Sequence, residues 1–79
     1  MTTFQNEFLT ALAPFAACDT DSPNFIEGRM WIWLHRGEAD YRKARAAVNR
    51  FPHRVGRDKT DITVFAPDGT KAVWVHIRT

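Results

Sequence analysis

The sequence contains few of the residues that build covalent or metal-bound frameworks. Cys18 is the one cysteine among 79 residues, which excludes an intramolecular disulfide and a zinc site with several cysteine ligands. No apolar run approaches the roughly 20 residues of a membrane-spanning helix. The first residues lack the positive charge and the cleavage site of a signal peptide. We therefore expect a soluble, cytoplasmic protein in which Cys18 is a small buried hydrophobe.

Motifs for catalysis or cofactor binding are also missing. The four glycines form neither a phosphate-binding loop nor a dinucleotide-binding pattern. The histidines, His35, His53 and His76, match no metal-ligand spacing. Asp19 and Asp21 resemble the start of a calcium loop, but the later ligands of such a loop do not follow. We expect no cofactor, no metal and no enzyme activity.

Apolar and charged residues are plentiful but unevenly distributed. The 44% apolar fraction, with ten aromatic residues, is enough for one buried core, and 79 residues leave room for a single domain. We expect a monomer or a small homo-oligomer. Residues 1–28 carry a charge of −4, whereas residues 29–79 carry eleven bases and five acids, a charge of +6. The net charge of +2 therefore hides a charge that is polarised along the chain.

Hydrophobic spacing predicts two helices. The first covers residue 3 to about residue 13, after a capping box formed by Thr2 and Gln5, and apolar side chains recur along it at helical spacing. The second covers about residues 38–50, where apolar side chains again share one face until Pro52 ends the helix. Both helices are expected to dock on the core.

Three strands are predicted around these helices. Residues 29–35 have apolar side chains on both strand faces, with Met30, Ile32 and Leu34 on one and Trp31, Trp33 and His35 on the other. This pattern indicates a central strand whose tryptophan side is either covered by another element or exposed for a partner. Residues 60–78 predict a C-terminal hairpin with its turn at residues 66–69, where Gly69 accepts a positive φ.

The predicted fold is a single two-layer α+β domain over residues 1–79, with the order α-β-α-β-β and a small sheet that ends in the hairpin. Residues 19–24 are dense in turn-forming side chains and predict an acidic loop. If the strand of residues 29–35 lies beside the last strand, His35 and His76 share a face with the neighbouring tryptophans.

Residues 42–59 form a second notable feature, which we call the basic segment. It holds seven bases and one acid, and the bases are Arg42, Lys43, Arg45, Arg50, Arg54, Arg57 and Lys59. The excess of arginine favours bidentate contacts with phosphate or carboxylate groups. Such a run is also typical of the solvated face of an amphipathic helix. We predict that these cations contact a partner, with Trp31 and Trp33 as aromatic anchors.

The tryptophans Trp31 and Trp33, the basic segment and the acidic residues 19–27 together resemble the small phage-encoded inhibitors of bacterial defence, the anti-CRISPR proteins. This resemblance implies a stoichiometric binder in the host bacterial cytoplasm. Such a binder occupies a surface of a CRISPR effector complex and blocks recruitment of target DNA or of the nuclease.

Three hypotheses about function follow. The first is a non-enzymatic inhibitory or adaptor protein that binds a protein complex with an acidic or nucleic-acid-binding surface. The second is a small nucleic-acid-binding domain that places the basic segment on phosphates and stacks an aromatic ring on a base. The third is a hydrolase or metal protein built on the histidines. Salt-dependent binding of generic DNA or RNA separates the first two.

Overall fold

A computed structural model describes residues 1–79, which form two helices on one face of a five-stranded sheet. The elements in chain order are α1 Thr3–Leu12, β1 Cys18–Ile26, β2 Arg29–His35, α2 Tyr41–Asn49, β3 His53–Val55, β4 Asp61–Phe65 and β5 Lys71–Arg78. The strand order is β1-β2-β5-β4-β3, and β2 and β5 are the one parallel pair. The predicted α+β class with a C-terminal hairpin is confirmed, and the full order is α-β-β-α-β-β-β.

Helix α1 begins with the predicted capping box. The Thr2 side chain accepts from the backbone N–H of Gln5 at 3.1 Å, and the Thr2 N–H donates to Gln5 Oε1 at 2.9 Å. Phe8 and Leu12 of this helix are fully buried. Gln5 is also buried, and its Nε2 donates to the backbone carbonyl of Ala72 in β5 at 2.8 Å. Gln5 therefore caps α1 and fastens it to the sheet.

One face of the sheet forms the core together with both helices. Its side chains come from alternate positions of three strands: Met30, Ile32, Leu34, Ile62, Val64, Val73, Val75 and Ile77. Phe8 and Leu12 of α1 and Ala44 and Val48 of α2 belong to the same cluster. Because both helices pack on this side, the opposite face of the sheet has no covering element.

The loop predicted for residues 19–24 is wrong, because these residues belong to β1. They lie on the sheet edge, where Asp19 pairs with Trp33 and Asn24 with Trp31 of β2, and residues 20–23 between them form an irregularity of the register without partners in β2. An edge strand tolerates the proline at position 23 because one side of its backbone needs no partner. Pairing with β2 at the two ends of this segment therefore outweighs its local preference for a loop.

The second helix and the following connector also differ from the prediction. Helix α2 begins at Tyr41, and Asp40 before it has a φ of 64°, which is a left-handed conformation outside the helical range. The helix therefore cannot start at residue 38. Residues 53–55, for which no strand was predicted, form the short strand β3 and pair with β4.

The turn of the C-terminal hairpin is held by its own hydrogen bonds. The Ala66 N–H donates to the Thr70 carbonyl at 2.8 Å, and the Gly69 N–H donates to the Ala66 carbonyl at 2.9 Å. The Asp68 carboxylate accepts from the Thr70 hydroxyl at 2.6 Å and from its backbone N–H at 3.0 Å, and these bonds lower the pKa of Asp68. Gly69 has a φ of 87°, which confirms the predicted role of this glycine.

Replacing Gly69 with valine is expected to lower the free energy of unfolding by about 1–2 kcal/mol, because a β-branched residue resists a positive φ. Urea denaturation of the two proteins measures the difference. Gly37→Val is the matched control, since Gly37 also has no atom within 4 Å of an added Cβ but lies outside the left-handed region. An equal loss in both variants would contradict the assignment of strain to this turn.

Candidate binding surface

The face of the sheet opposite the helices is the candidate functional site, and we call it the open face. Strand alternation and register place fourteen side chains on it: Arg29, Trp31, Trp33, His35, Arg54, Asp61, Thr63, Phe65, Trp74, His76 and Arg78 from β2 to β5, and Asp19, Asn24 and Ile26 from β1. Each of them is at least partly exposed. All three tryptophans of the protein are in this set.

Aromatic side chains form the centre of the open face. The parallel register of β2 and β5 puts Trp31 beside Trp74 and Trp33 beside His76. The ring centroids of these pairs are 4.4 Å and 4.9 Å apart, and the rings are nearly perpendicular, an arrangement that stabilises aromatic pairs. The prediction that His35 and His76 share a face with the tryptophans is confirmed.

Three arginines place their guanidinium groups over aromatic rings of the open face. Arg29 lies 4.9 Å from the ring centre of Trp74, Arg78 lies 5.0 Å from that of Trp33, and Arg54 lies 5.9 Å from that of Phe65. None of the three forms a salt bridge. The rings hold the cations in place by cation–π attraction, so their N–H groups stay available to an acceptor from outside the protein.

A cleft of about 220 Å³ opens on this face, lined by Trp31, Asp61, Ile62, Thr63 and Trp74. The Trp31 indole Nε1 is a buried donor with no hydrogen-bond partner. One carboxylate oxygen of Asp61 lies 2.6 Å from His76 Nδ1, and the other oxygen is free. The volume is below the roughly 300–1,000 Å³ of sites for drug-sized ligands, so the cleft suits a single flat ring or side chain.

The basic segment does not form one surface. Arg42, Lys43, Arg45 and Arg50 lie on α2 and at its end, Arg57 and Lys59 lie between β3 and β4, and Arg54 lies on β3. Lys43 pairs with Asp40 at 3.7 Å, and Arg45 donates to the Asn49 side chain. The sheet separates the cations of α2 from the tryptophans. Of the residues predicted to contact a partner, the structure brings together Trp31, Trp33 and Arg54.

Most contributors to the open face were missing from the predicted site, and among them are the four that take part in cation–π contacts: Arg29, Phe65, Trp74 and Arg78. The signal that identifies them is the two-residue alternation of β2, β4 and β5, which buries one set of side chains and turns the intervening ones outward. Using that signal requires knowing that β2 and β5 are neighbours. The sequence alone does not establish that these two strands are neighbours.

Other reactive side chains are placed apart from one another. His53 Nδ1 lies 2.8 Å from the Phe51 carbonyl oxygen, and no group of three or more His, Cys, Asp or Glu residues is arranged to hold a metal ion. Cys18 is buried as predicted, and burial raises the pKa of its thiol to about 11. The thiol is therefore protonated at neutral pH, the less nucleophilic form.

Neither helix is long and apolar enough to span a membrane.

Comparisons with known proteins give no functional lead for the open face. No family model, no curated protein and no solved structure matches this chain. A functional proposal therefore rests on the open face itself, which combines aromatic rings, guanidinium groups and a cleft on one uncovered surface.

Proposed function

We propose that this protein is a non-enzymatic binding protein of the inhibitory or adaptor type, and that the open face is its contact surface. The observation that carries the proposal is an uncovered sheet face with three tryptophans and three arginines that have no acidic partner. Tryptophan and arginine are the residue types that most often dominate binding energy at interfaces. A solvated sheet face is otherwise mainly polar, so this concentration of aromatic rings needs a binding role to explain it.

The partner that we propose is a CRISPR effector complex, in line with the resemblance to anti-CRISPR proteins. The protein then acts by occupying a surface that the effector needs for target DNA or for its nuclease. The arginines of the open face support this choice, because they suit an acidic or phosphate-rich surface. The proposal moves the main contacts from the basic segment to the open face, and Arg54 is common to both.

A phage infection assay tests the proposal with two matched charge reversals. Arg54→Glu/Arg78→Glu changes the open face. Arg45→Glu/Arg50→Glu changes the layer formed by α1 and α2, which we call the helical layer. Each pair of substitutions lowers the net charge of the protein by four units, from +2 to −2. In a panel of bacterial strains with one effector type each, the wild type is expected to restore plaque formation by a targeted phage in at least one strain. The open-face variant is expected to lose most of this activity, whereas the helical variant keeps it.

Both variants should fold normally, because substitutions at solvated positions usually change the free energy of unfolding by less than about 0.5 kcal/mol. Circular dichroism and thermal unfolding verify this. If instead the helical variant loses activity and the open-face variant keeps it, the basic segment is the contact surface. If the wild type protects phage in no strain, the anti-CRISPR role is wrong.

A further inference from the structure

We infer that the open face binds single-stranded nucleic acid, DNA or RNA, with bases stacked on its tryptophans and phosphates held by its arginines. This inference rests on the proposed function in one respect, that the open face is the contact surface. It adds the chemical class of the ligand. An effector complex contains a guide RNA and exposes a displaced DNA strand, so the ligand is compatible with the proposed partner.

The spacing of the aromatic rings suits successive bases of an open strand. Trp31 and Trp33 are two residues apart on β2, which corresponds to about 6.6 Å along the strand. Trp74 lies beside Trp31 and extends the row across the sheet. Bases of any identity can stack on such rings because every base has a π face. The face therefore offers aromatic rings at several neighbouring positions, and the rings of Trp31 and Trp74 are nearly perpendicular to each other.

The three guanidinium groups surround this aromatic centre and supply the phosphate contacts. Arg29 begins β2, Arg78 ends β5, and Arg54 lies on the edge strand β3. Two carboxylates lie on the same side, and one of them, Asp61, is held by His76. The other, Asp19, lies opposite Trp33 at the β1 edge. The three guanidinium groups themselves have no carboxylate partner, so they are free to hold phosphates.

The cleft between the tryptophans adds groups that can contact the edge of a base. Asp61 and Thr63 in its lining offer acceptors, and the Thr63 hydroxyl is also a donor. A base that enters the cleft brings both donors and acceptors on its edge. An acidic protein surface offers carboxylates to the arginines but no regular series of flat rings to the tryptophans.

Two other occupants fit these features less well. Duplex DNA keeps its bases stacked inside the helix, so the tryptophans find no free base to stack on. A second copy of the chain, packed face to face about a two-fold axis, brings the same three arginines of both copies into one interface. Like charges in such an interface oppose association. A single strand offers bases to the tryptophan rings and phosphates to the arginines at the same time.

Intrinsic fluorescence gives a direct test, because all three tryptophans lie on the open face. The protein is titrated at low salt with oligothymidine, oligouridine and oligoadenine of about 12 nucleotides, a length within the range bound by single domains. A duplex of the same length is the comparison. We expect quenching by the DNA and RNA single strands, and binding to the duplex that is at least about tenfold weaker.

Salt dependence and variants then test the phosphate contacts. Three contacts predict a slope of log affinity against log salt of about −2, at about −0.7 for each phosphate on a single strand. Arg54→Ala/Arg78→Ala is expected to weaken binding by about tenfold or more and to reduce the slope to about −0.7. The control Arg42→Ala/Arg50→Ala removes the same charge from the helical layer, where both side chains are exposed, and is expected to leave the slope unchanged.

Absence of quenching by every single strand at low salt would overturn the inference. Equal affinity for the duplex, or equal effects of the two arginine pairs, would also overturn it, since binding would then depend on general charge. A concentration-dependent dimer in analytical ultracentrifugation that the Arg54/Arg78 variant abolishes would assign the face to self-association. If no single strand binds but phage protection depends on Arg54 and Arg78, the nucleic-acid inference fails while the proposed function stands, with a protein surface as the partner.

Discussion

Replacing Phe8 with alanine is expected to lower the free energy of unfolding by about 3–5 kcal/mol. The Phe8 ring is fully buried at the point where α1 meets the rest of the core. It contacts Phe51 beyond the end of α2, with 4.9 Å between ring centroids. A domain of this size has a total stability of about 4–12 kcal/mol, so loss of the ring removes a large share of it. Chemical denaturation followed by circular dichroism measures the change.

Two further variants keep this prediction testable if Phe8→Ala does not fold. Phe8→Leu retains most of the buried volume and is expected to cost about 1–1.5 kcal/mol. Phe25→Ala is the matched control, because Phe25 on β1 is 47% exposed and its loss should change stability by less than about 1 kcal/mol. Similar losses for the alanine variants of Phe8 and Phe25 would show that α1 is not integral to the core.

Features that depend on neighbouring residues in the chain could be predicted from the sequence. The capping box of Thr2 and Gln5 is local, as is the turn that needs Gly69. The alternation of residues 29–35 marks a strand without reference to the rest of the fold. In each case the side chains that determine the structure lie within a few positions of one another.

Features that depend on distant pairing could not be predicted in the same way. The polar residues of β1 favour turns locally, and β2 supplies partners for Asp19 and Asn24 at the two ends of that segment. The hydrogen bond from Gln5 Nε2 to the Ala72 carbonyl spans 67 positions and has no local signature. Asp40 likewise takes a left-handed conformation that shortens α2, although acidic residues there favour a helix start.

The candidate site shows the same limit. A run of cations such as the basic segment is visible in the sequence, but the fold distributes it over α2, β3 and the following turn. The open face instead collects residues from all five strands, and Arg29 meets Trp74 across 45 positions of sequence. Period-two alternation gives the side of the sheet on which each residue lies, whereas strand order decides which residues meet.

Replacing Trp74 with alanine is expected to weaken binding of single-stranded oligonucleotides by about tenfold to a hundredfold, since one stacked base contributes about 1–3 kcal/mol. Trp74 is central to the open face. It packs against Trp31, supports the guanidinium group of Arg29 and lines the cleft. Its removal therefore takes away a stacking surface and also frees Arg29. Fluorescence anisotropy with a labelled oligonucleotide measures the affinity without depending on the lost tryptophan.

Two controls separate stacking from stability in this experiment. Trp74→Phe keeps an aromatic face and is expected to recover most of the affinity. Phe51→Ala removes a partly buried ring from the helical side, where it packs against Phe4 and Phe8, so it should destabilise the domain without weakening binding by the folded protein. An equal loss of affinity in Phe51→Ala would trace the effect of Trp74→Ala to instability. Unchanged affinity in Trp74→Ala would show that no base stacks on this ring, because the open face would then bind without its central aromatic side chain.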